Sequence, residues 1–281
     1  MCLKIQTKEP LVSIVIPTCN RARLLKKTIQ SIYEQSYENW EALFIDDISA
    51  DDTEKMLCDL SNRDSRIRYF RIPLDNNKGI SKYLNYGLKN AKGKYISRID
   101  DDDYWYDKDT LKIQVEFLES NPDYVLVGGG VIIVNDKYKM IFRYFKREKD
   151  EEIRNSALIA NPFAHNTVMF RKEEILSIGG YSNIEFAEDW DLWLRVGKLG
   201  KMYNFRKYFT CYLTSGQNTS YKKLQKQSKF IIKLIKKYKN EYPNYYKGLF
   251  LSYIQYLYSF LPSPLTSRLH TFLIYFKRQN F

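Results

Sequence analysis

Short apolar runs alternate with longer periodic segments over residues 11–100 of the chain. Such runs are typical of buried strands, whereas apolar residues that recur every three or four positions are typical of helices. The pattern predicts strands at Leu11–Ile16, Trp40–Ile45, Ile67–Ile72 and Tyr95–Ile99, and helices at Ala22–Gln35, Asp51–Leu60 and Ser81–Ala91. Strands that alternate with helices indicate β-α-β units and an α/β fold with a parallel sheet.

After residue 110 the alternation is looser. It predicts a helix at Thr110–Ser120, a strand at Tyr124–Val134 interrupted by three glycines, a hairpin into Met140–Phe145, a short strand at Asn166–Phe170 and a helix at Glu188–Leu199. Beyond residue 220, Pro243, Pro262 and Pro264 divide a C-terminal tail into three predicted helical pieces.

Three predicted strands run directly into polar residues. The first is followed by Pro17-Thr18-Cys19-Asn20, the second by Asp46-Asp47 and the fourth by Asp100-Asp101-Asp102-Asp103. Ligands of open α/β sheets bind beyond the carboxyl ends of the strands. The sequence therefore predicts one ligand site at this edge of the sheet.

The four consecutive aspartates are the sharpest local feature of the sequence. Adjacent carboxylates repel one another unless a cation or strong donors compensate their charge. Their hard oxygens suit Mg²⁺ or Mn²⁺, which proteins usually hold with one or two carboxylates and substrate phosphates. The alternative is a solvated acidic loop in which Asp103 or Asp109 caps the next helix, but the position after an apolar strand favours a metal-bound diphosphate.

Two other acidic groups each permit a structural and a functional interpretation. Asp46-Asp47 could bind a base or ribose, or could form a turn before a helix capped by Ser49 or Asp51. Glu188-Asp189-Trp190-Asp191 could compensate a helix dipole or could supply a general base, with Trp190 or Trp193 as an apolar wall or a stacking face for a sugar.

Two weaker features stay ambiguous on the sequence alone. A lone histidine such as His165 is more often structural than catalytic. Asn77-Lys78-Gly79 could bring backbone amides to an anion, although a simple turn is the simpler interpretation.

The positive charge of the chain is concentrated in its tail. The 281 residues carry a formal net charge of +12, but residues 221–281 contain 12 Lys and Arg and one acid, Glu241, which leaves +1 for residues 1–220. Lys222–Tyr238 fits an amphipathic helix whose apolar stripe either packs on the rest of the protein or faces an anionic membrane surface. Because the predicted site is acidic and residues 1–220 are nearly neutral, no nucleic-acid partner is expected.

The sequence lacks the motifs that mark several other classes of protein. It contains no P-loop, no dinucleotide-binding glycine motif and no nucleophile elbow. The four dispersed cysteines and two histidines suggest neither a disulfide framework nor a zinc site. Residues 1–10 do not resemble a secretory signal, and Gly248–Leu261 is too short to span a bilayer. We expect a cytoplasmic protein that could lie peripherally on the inner face of the cytoplasmic membrane.

Seven segments in order resemble the family-2 inverting glycosyltransferases of the GT-A fold, of the type that builds bacterial surface polysaccharide and lipopolysaccharide. They are Val12–Arg21, Ile45–Ser49, Asn77–Ser81, Asn85–Leu88, Gly93–Ile96, Ile99–Asp103 and Glu188–Arg195. The resemblance covers roughly residues 10–215. It implies a mostly parallel central sheet flanked by helices. It also implies that the chain consists of an N-terminal extension (1–10), a catalytic domain (11–220) and a basic helical extension (221–281). Within the catalytic domain, residues 11–110 would form the nucleotide-binding half and residues 111–220 the acceptor half.

The resemblance also implies roles for individual residues. Asp189 matches the catalytic base, which deprotonates the acceptor hydroxyl, and Asp102 matches a direct ligand of Mn²⁺ or Mg²⁺, assisted by Asp100. The nucleotide-sugar would contact Pro17, Thr18, Cys19, Asn20, Asp47, Asn77, Gly79, Asp100 and Asp101. The acceptor would contact Glu188, Trp190 and His165.

The chain departs from the family pattern at two positions. Many relatives carry Y-R-x-H in the strand after the acidic helix, where this chain has Tyr212-Leu213-Thr214-Ser215. Either carboxylate and diphosphate alone hold the metal, or a residue near Gln217 replaces the histidine. Cys19 stands where an aromatic residue is common, so the resemblance implies weaker stacking on the base.

The predicted function is transfer of a sugar, from a UDP-hexose or UDP-N-acetylhexosamine, to a hydroxyl of a glycan or lipid-linked oligosaccharide acceptor. The alternative is a nucleic-acid or membrane-surface binding module with a non-catalytic sugar-nucleotide fold.

Overall fold

The computed structural model describes residues 9–73, 79–214 and 224–261, together with the separate helical positions 265, 269, 272, 273 and 276. Within these residues one nine-stranded sheet has the order β3-β2-β1-β4-β8-β6-β9-β5, with β7 paired to β6. The strands are β1 Val12–Thr18, β2 Trp40–Asp46, β3 Ile67–Arg71, β4 Tyr95–Arg98, β5 Tyr104–Trp105, β6 Tyr124–Val134, β7 Met140–Tyr144, β8 Met169–Arg171 and β9 Lys201–Leu213.

The first four strands are parallel, as the alternating pattern predicts. The side chains of β1 and β2 are buried on both faces, which explains why these two strands are almost continuously apolar rather than alternating. β1 is central, yet it tolerates Pro17 because pairing with β4 ends at Val15 opposite Arg98. The missing N–H of Pro17 therefore interrupts no bond to β4.

The second half of the sheet is mixed, with β8 antiparallel to β4 and β6, β7 antiparallel to β6, and β6 parallel to β9. The three glycines do not interrupt β6, contrary to the expectation from sequence. A Cβ at Gly129 would overlap the Phe209 ring, and one at Gly130 would overlap the Phe145 ring. The glycines thus let aromatic rings pack directly on the strand.

Seven helices flank the sheet in the described part of the chain up to residue 214. They are α1 Ala22–Tyr33, α2 Thr53–Arg63, α3 Ser81–Asn90, α4 Thr110–Ser120, α5 Asp150–Ser156, α6 Lys172–Ser177 and α7 Glu188–Val196. A 3₁₀ turn at His165–Thr167 replaces the beginning of the strand that we predicted at Asn166, and Asp109 precedes α4 without a side-chain cap bond.

Two helices of the tail are described, α8 Leu224–Lys237 and α9 Tyr245–Tyr258. The predicted stripe of α8 is buried: Ile231, Leu234 and Ile235 pack with Trp190 and Leu194 of α7. Of the two interpretations of this stripe, packing on the protein is therefore confirmed and a lipid-facing role is wrong. None of the helices in the described part of the chain is both long and apolar enough to cross a membrane.

Candidate active site

The ends of β1 and β2 are joined by a network of backbone and side-chain bonds. Asp47 N donates to Thr18 O at 2.9 Å, and Asn20 N donates to Ser49 Oγ at 2.8 Å. Asn20 has a positive φ of 54° and accepts a bond from Ala50 N through Oδ1 at 2.7 Å. The polar residues that the sequence places after these two strands therefore lie together, as predicted.

The two acids at the end of β2 face different environments. Asp46 is fully buried and accepts bonds from Ser49 and from Tyr69 Oη at 2.7 Å, so its carboxylate is already satisfied inside the protein. Asp47 is only half-buried and lies beside Cys19, whose Sγ donates to Asp47 O at 3.3 Å. Of the pair, only Asp47 is placed to meet a ligand.

The aspartate run divides in the same way. Asp103 is fully buried and accepts bonds from Leu213 N at 2.9 Å and from Asn166 Nδ2. Thr28 Oγ1 donates to Asp103 O at 2.6 Å. These bonds clamp the run between α1 and β9. Asp100, Asp101 and Asp102 remain partly exposed at the edge of the sheet.

Two of the three partly exposed aspartates, Asp101 and Asp102, have a raised pKa. Burial raises the pKa of Asp101 to about 7, and the charge of Asp102 contributes to the rise. Burial also raises the pKa of Asp102, with a further contribution from Asp100. Arg98 Nη2 pairs with Asp100 at 2.7 Å, and Arg21 Nε lies 3.6 Å from Asp101. Uncompensated negative charge at this edge favours a bound cation.

These carboxylates fit a metal held partly by its substrate. No cluster of three or more His, Cys, Asp or Glu ligands occurs among the described residues, so the protein supplies no complete coordination sphere there. Mg²⁺ and Mn²⁺ do not require one when phosphate oxygens and water fill the other positions. Asp100 and Asp102 thus suit a cation bound together with a diphosphate.

A second acidic group lies at the start of α7. Ala187, in the left-handed conformation, precedes the helix and turns Glu188 and Asp189 into its first turn. Asp189 accepts bonds from Asn161 Nδ2 and from Trp190 N, both at 2.7 Å. Burial raises the pKa of Asp189, and it raises the pKa of Glu188 to about 7 with help from the charge of Asp189.

Asp191, two residues further along, has the opposite electrostatic environment. Although burial alone would raise its pKa, hydrogen bonds from Lys237, Ser182 and Tyr238 lower the pKa of Asp191 to about 2. It also pairs with Arg195 at 2.8 Å. Asp191 therefore anchors α8 to α7, while Glu188 and Asp189 have the raised pKa expected of groups that exchange protons.

Arg98 lies between the two acidic groups. It is 2% exposed, and its charge lowers the pKa of both Glu188 and Asp189 while it pairs with Asp100. Among the described residues, its Nε and Nη1 have no hydrogen-bond partner. Arg98 belongs to none of the predicted site residues, although an arginine inside an apolar strand just before an aspartate run is a visible signal in the sequence.

The environment of His165 is aromatic and electropositive. His165 Nε2 lies 2.8 Å from Tyr181 Oη, and the imidazole ring contacts Trp193 edge-on. Burial lowers the pKa of His165 well below its usual range, and the charge of Arg98 lowers it further. The side chain is therefore neutral at physiological pH. Tyr181 and Asn161 are two further site residues that sequence patterns do not single out.

Trp190, which the resemblance places at the acceptor, is buried in this structure. Trp190 is 5% exposed, its Nε1 donates to Ala157 O at 2.7 Å, and its ring packs in the cluster with α8. Trp193 is fully buried. Neither indole presents a face to a sugar ring.

Some predicted site residues lie next to or outside the residues that the structure describes. Gly79 is described and has a positive φ of 53°, which suits a turn before α3. Asn77, Ser215 and Gln217 lie outside the described residues. Pro17, Thr18, Cys19 and Asn20 lie at the end of β1 beside Asp47, as expected from the sequence.

Comparison with known sequences gives a consistent set of relatives. The family described as Glycosyl transferase family 2 matches residues 13–178. An uncharacterized glycosyltransferase of Rickettsia felis is 31% identical over 79% of this chain and 36% of its own length. Glycosyltransferase EpsE of Bacillus subtilis is 34% identical over 71% of this chain and 69% of its own. The amylovoran biosynthesis glycosyltransferase AmsE of Erwinia amylovora is 28% identical over 68% of this chain and 71% of its own length. This chain thus spans only about a third of the Rickettsia relative.

Comparison with solved structures supports the fold. The structure of Staphylococcus aureus TarS residues 1–349 in complex with UDP-GlcNAc has a TM-score of 0.60 at 17% identity. The match covers 88% of this chain and 72% of the TarS chain. Mannosyltransferase PcManGT of Pyrobaculum calidifontis, in complex with GDP-Man and Mn²⁺, has a TM-score of 0.62 at 20% identity. This match covers 96% of this chain and 75% of the PcManGT chain. With the family match over more than half of the sequence, the chain belongs to glycosyltransferase family 2 and has its GT-A α/β fold.

Proposed function

We propose that this chain is an inverting glycosyltransferase that moves a sugar from a UDP-hexose or UDP-N-acetylhexosamine to a hydroxyl of a glycan or lipid-linked oligosaccharide. One observation carries the proposal. The buried Arg98 pairs with Asp100 at 2.7 Å, and its charge also acts on Asp102 and on the Glu188-Asp189 pair, so both acidic groups lie close to one cation. A donor-binding group and a general base require this proximity.

Each half of the catalytic unit has its own role in this proposal. Residues 11–110 would bind the nucleotide, with Pro17 and Cys19 against the base and Asp47 accepting hydrogen bonds from the base or ribose. Residues 111–220 would bind the acceptor, and residues 221–281 would form an extension. The complex of TarS with UDP-GlcNAc supports a UDP donor, and the name of AmsE supports a role in polysaccharide assembly.

The proposed reaction is a single displacement. The acceptor hydroxyl oxygen attacks the anomeric carbon as the bond from that carbon to the diphosphate oxygen breaks, and Asp189 takes the hydroxyl proton. Asn161 holds the Asp189 carboxylate in one orientation, and the raised pKa of Asp189 makes it a stronger base. Asp102 and Asp100 would hold Mn²⁺ or Mg²⁺, which supplies positive charge to the leaving diphosphate. Attack opposite the leaving group inverts the anomeric configuration.

The test is a turnover assay with Mn²⁺ and a panel of UDP-sugars, with GDP-mannose included because PcManGT binds it. Loss of a general base typically costs 10²–10⁴-fold, and we expect Asp189→Asn to lower turnover by about 10³-fold while UDP binding persists. Glu185→Gln, a similar change at an exposed acid three residues before Glu188, is the matched control.

Three results would count against the proposal. Equal turnover by wild type and Asp189→Asn would favour a non-catalytic binding module. Retention of the donor's anomeric configuration in the product would exclude inversion. Binding of nucleic acid, with no stabilisation by UDP and Mn²⁺, would favour the alternative function.

A further inference from the structure

Helix α9 has an unusual distribution of polarity. Its buried positions include the small or polar residues Gly248, Ser252 and Gln255. Its exposed positions include Tyr246, Phe250, Tyr253 and Leu257, which are 83%, 65%, 40% and 66% exposed. These four residues follow one another at intervals of four, three and four, so they form one outward stripe. A surface helix normally has the opposite arrangement.

The inward face of α9 is fixed by close packing, so the helix cannot rotate to bury this outward stripe. A Cβ on Gly248 would overlap the Leu158 carbonyl group, so only glycine permits this approach. Asn244 Nδ2, at the start of the helix, donates to Asn155 O at 2.8 Å. At the other end, Gln225 Nε2 of α8 donates to Ser259 O at 3.3 Å.

Exposed apolar residues also occur after α9 in the sequence. Phe260 is 58% exposed, two residues after the helix ends. Leu265, Leu269 and Phe272, three of the separate helical positions that the structure describes, are also exposed and follow at intervals of four and three. The outward stripe is therefore followed along the chain by further exposed apolar residues, and exposed apolar patches mark interaction sites.

Cationic side chains of α8 border the outward stripe. Lys236 Nζ lies 3.1 Å from Tyr253 Oη, and Lys229 Nζ lies 5.7 Å from the centroid of the Tyr256 ring. Lys233 is exposed one turn from each of these lysines. The one acid in the tail, Glu241, pairs with Lys198 on another part of the protein.

Apolar and aromatic residues beside an uncompensated row of lysines match the chemistry of an anionic bilayer surface, whose acyl region takes the apolar groups and whose headgroups take the lysines. A second copy of this chain matches less well, because the twofold contact of identical faces would bring the lysine rows together. We propose that the outward stripe and Lys229, Lys233 and Lys236 form an interfacial membrane-binding surface for anionic lipid. This proposal does not depend on the glycosyl-transfer reaction.

The test is co-sedimentation of the whole chain with vesicles of phosphatidylcholine alone or with phosphatidylglycerol. We expect wild type to partition onto the anionic vesicles and to dissociate as salt is raised. Phe250→Ser with Leu257→Ser should lower the partition coefficient at least tenfold, and each Lys→Gln change should lower it about fivefold. Met140→Ser with Ile141→Ser, which removes two exposed apolar residues from β7, is the matched control and should bind like wild type.

Three outcomes would overturn the proposal. The first is wild type that does not bind the anionic vesicles. The second is a Phe250/Leu257 variant that binds as well as wild type while its thermal unfolding is unchanged. The third is a wild-type dimer in solution that becomes monomeric in this variant, which would make a second copy the occupant. Thermal unfolding and UDP binding of each variant show separately whether the fold and the nucleotide site are intact.

Discussion

Replacement of Arg98 by methionine should remove activity while leaving the protein almost as stable as before. The side chain is buried, so methionine fills similar space without the charge. The change affects both acidic groups of the site, because Arg98 pairs with Asp100 and its charge lowers the pKa of Glu188 and Asp189.

The expected change in stability is a difference between two opposing effects. The substitution removes one charge-assisted bond to Asp100, worth about 1.5–3 kcal/mol. The Asp100 side chain is 33% exposed, so water replaces part of that bond. The substitution also removes two buried nitrogen atoms that lack partners among the described residues, and an unsatisfied buried donor costs about 1–3 kcal/mol. The free energy of unfolding should therefore change by no more than about 2 kcal/mol.

Catalysis should fall much further than stability. A preorganised cationic or hydrogen-bonding group beside developing negative charge is typically worth about 10²–10³-fold in turnover. The loss of the Arg98 charge should also raise the pKa of Glu188 above its value of about 7 and raise that of Asp189. A base must be deprotonated to act, so the acidic limb of the profile of kcat/KM against pH should move to higher pH.

The assay is a pH series of steady-state rates for wild type, Arg98→Met and Arg98→Lys, together with urea unfolding of each. Arg98→Lys keeps the charge and should keep the acidic limb near its wild-type position even if its rate is lower. An Arg98→Met variant with threefold or smaller loss of kcat/KM and an unmoved acidic limb would refute the reasoning. A loss of activity that simply follows a large loss of stability would refute it as well.

Three further predictions concern other parts of the site and its support. Asp101→Asn should stabilise the ligand-free protein at pH 8 by on the order of 3 kcal/mol. The folded-state pKa of Asp101, about 7, lies above its unfolded value, so the charged carboxylate destabilises the folded protein relative to the unfolded chain. That difference should shrink as the pH falls from 7 towards 4, and urea unfolding at several pH values measures it. UDP and Mn²⁺ together should raise the Tm more than the sum of their separate effects, since Asp100 and Asp102 alone do not complete a metal site, and Asp102→Asn should abolish this synergy in thermal unfolding. Ile235→Ala, in the buried stripe of α8, should lower the free energy of unfolding by about 2–4 kcal/mol, whereas an unchanged value would show that α8 is not part of the folded core.

The sequence predicts the parallel half of the sheet almost residue by residue. β1 and β2 are short, apolar and followed by polar residues, and both their faces are buried, so local pattern and tertiary environment agree. The prediction weakens where burial depends on distant partners. From the sequence, Gly129 predicts a break in the strand, whereas in the structure the Phe209 ring packs on it. From the sequence, Trp190 could contact a sugar, whereas in the structure it packs with α8.

The candidate site follows the same rule. The convergence of Cys19, Asp47 and Asp100 follows from strand direction alone, because the carboxyl ends of parallel strands share one edge. Which acid of a pair faces the ligand does not follow from sequence. Asp46 and Asp47 are chemically identical neighbours, and the alternation of a strand gives them opposite sides, but Tyr69 and Ser49 decide which side is the interior.

The tail shows why the net charge of +12 is informative only after folding. Helices α8 and α9 both carry apolar residues at helical spacing, and from the sequence the stripe of α8 could either pack on the protein or face an anionic membrane. Yet α8 turns that stripe inward, since Trp190 and Leu194 of α7 provide an apolar surface and Asp191 binds Lys237 and Tyr238. Once α8 is fixed, its other lysines point outward, and α9, held by Gly248 against the Leu158 carbonyl, must expose its own stripe beside them. The charge of one helix and the apolar face of the other thus form a single surface that neither helix would form alone.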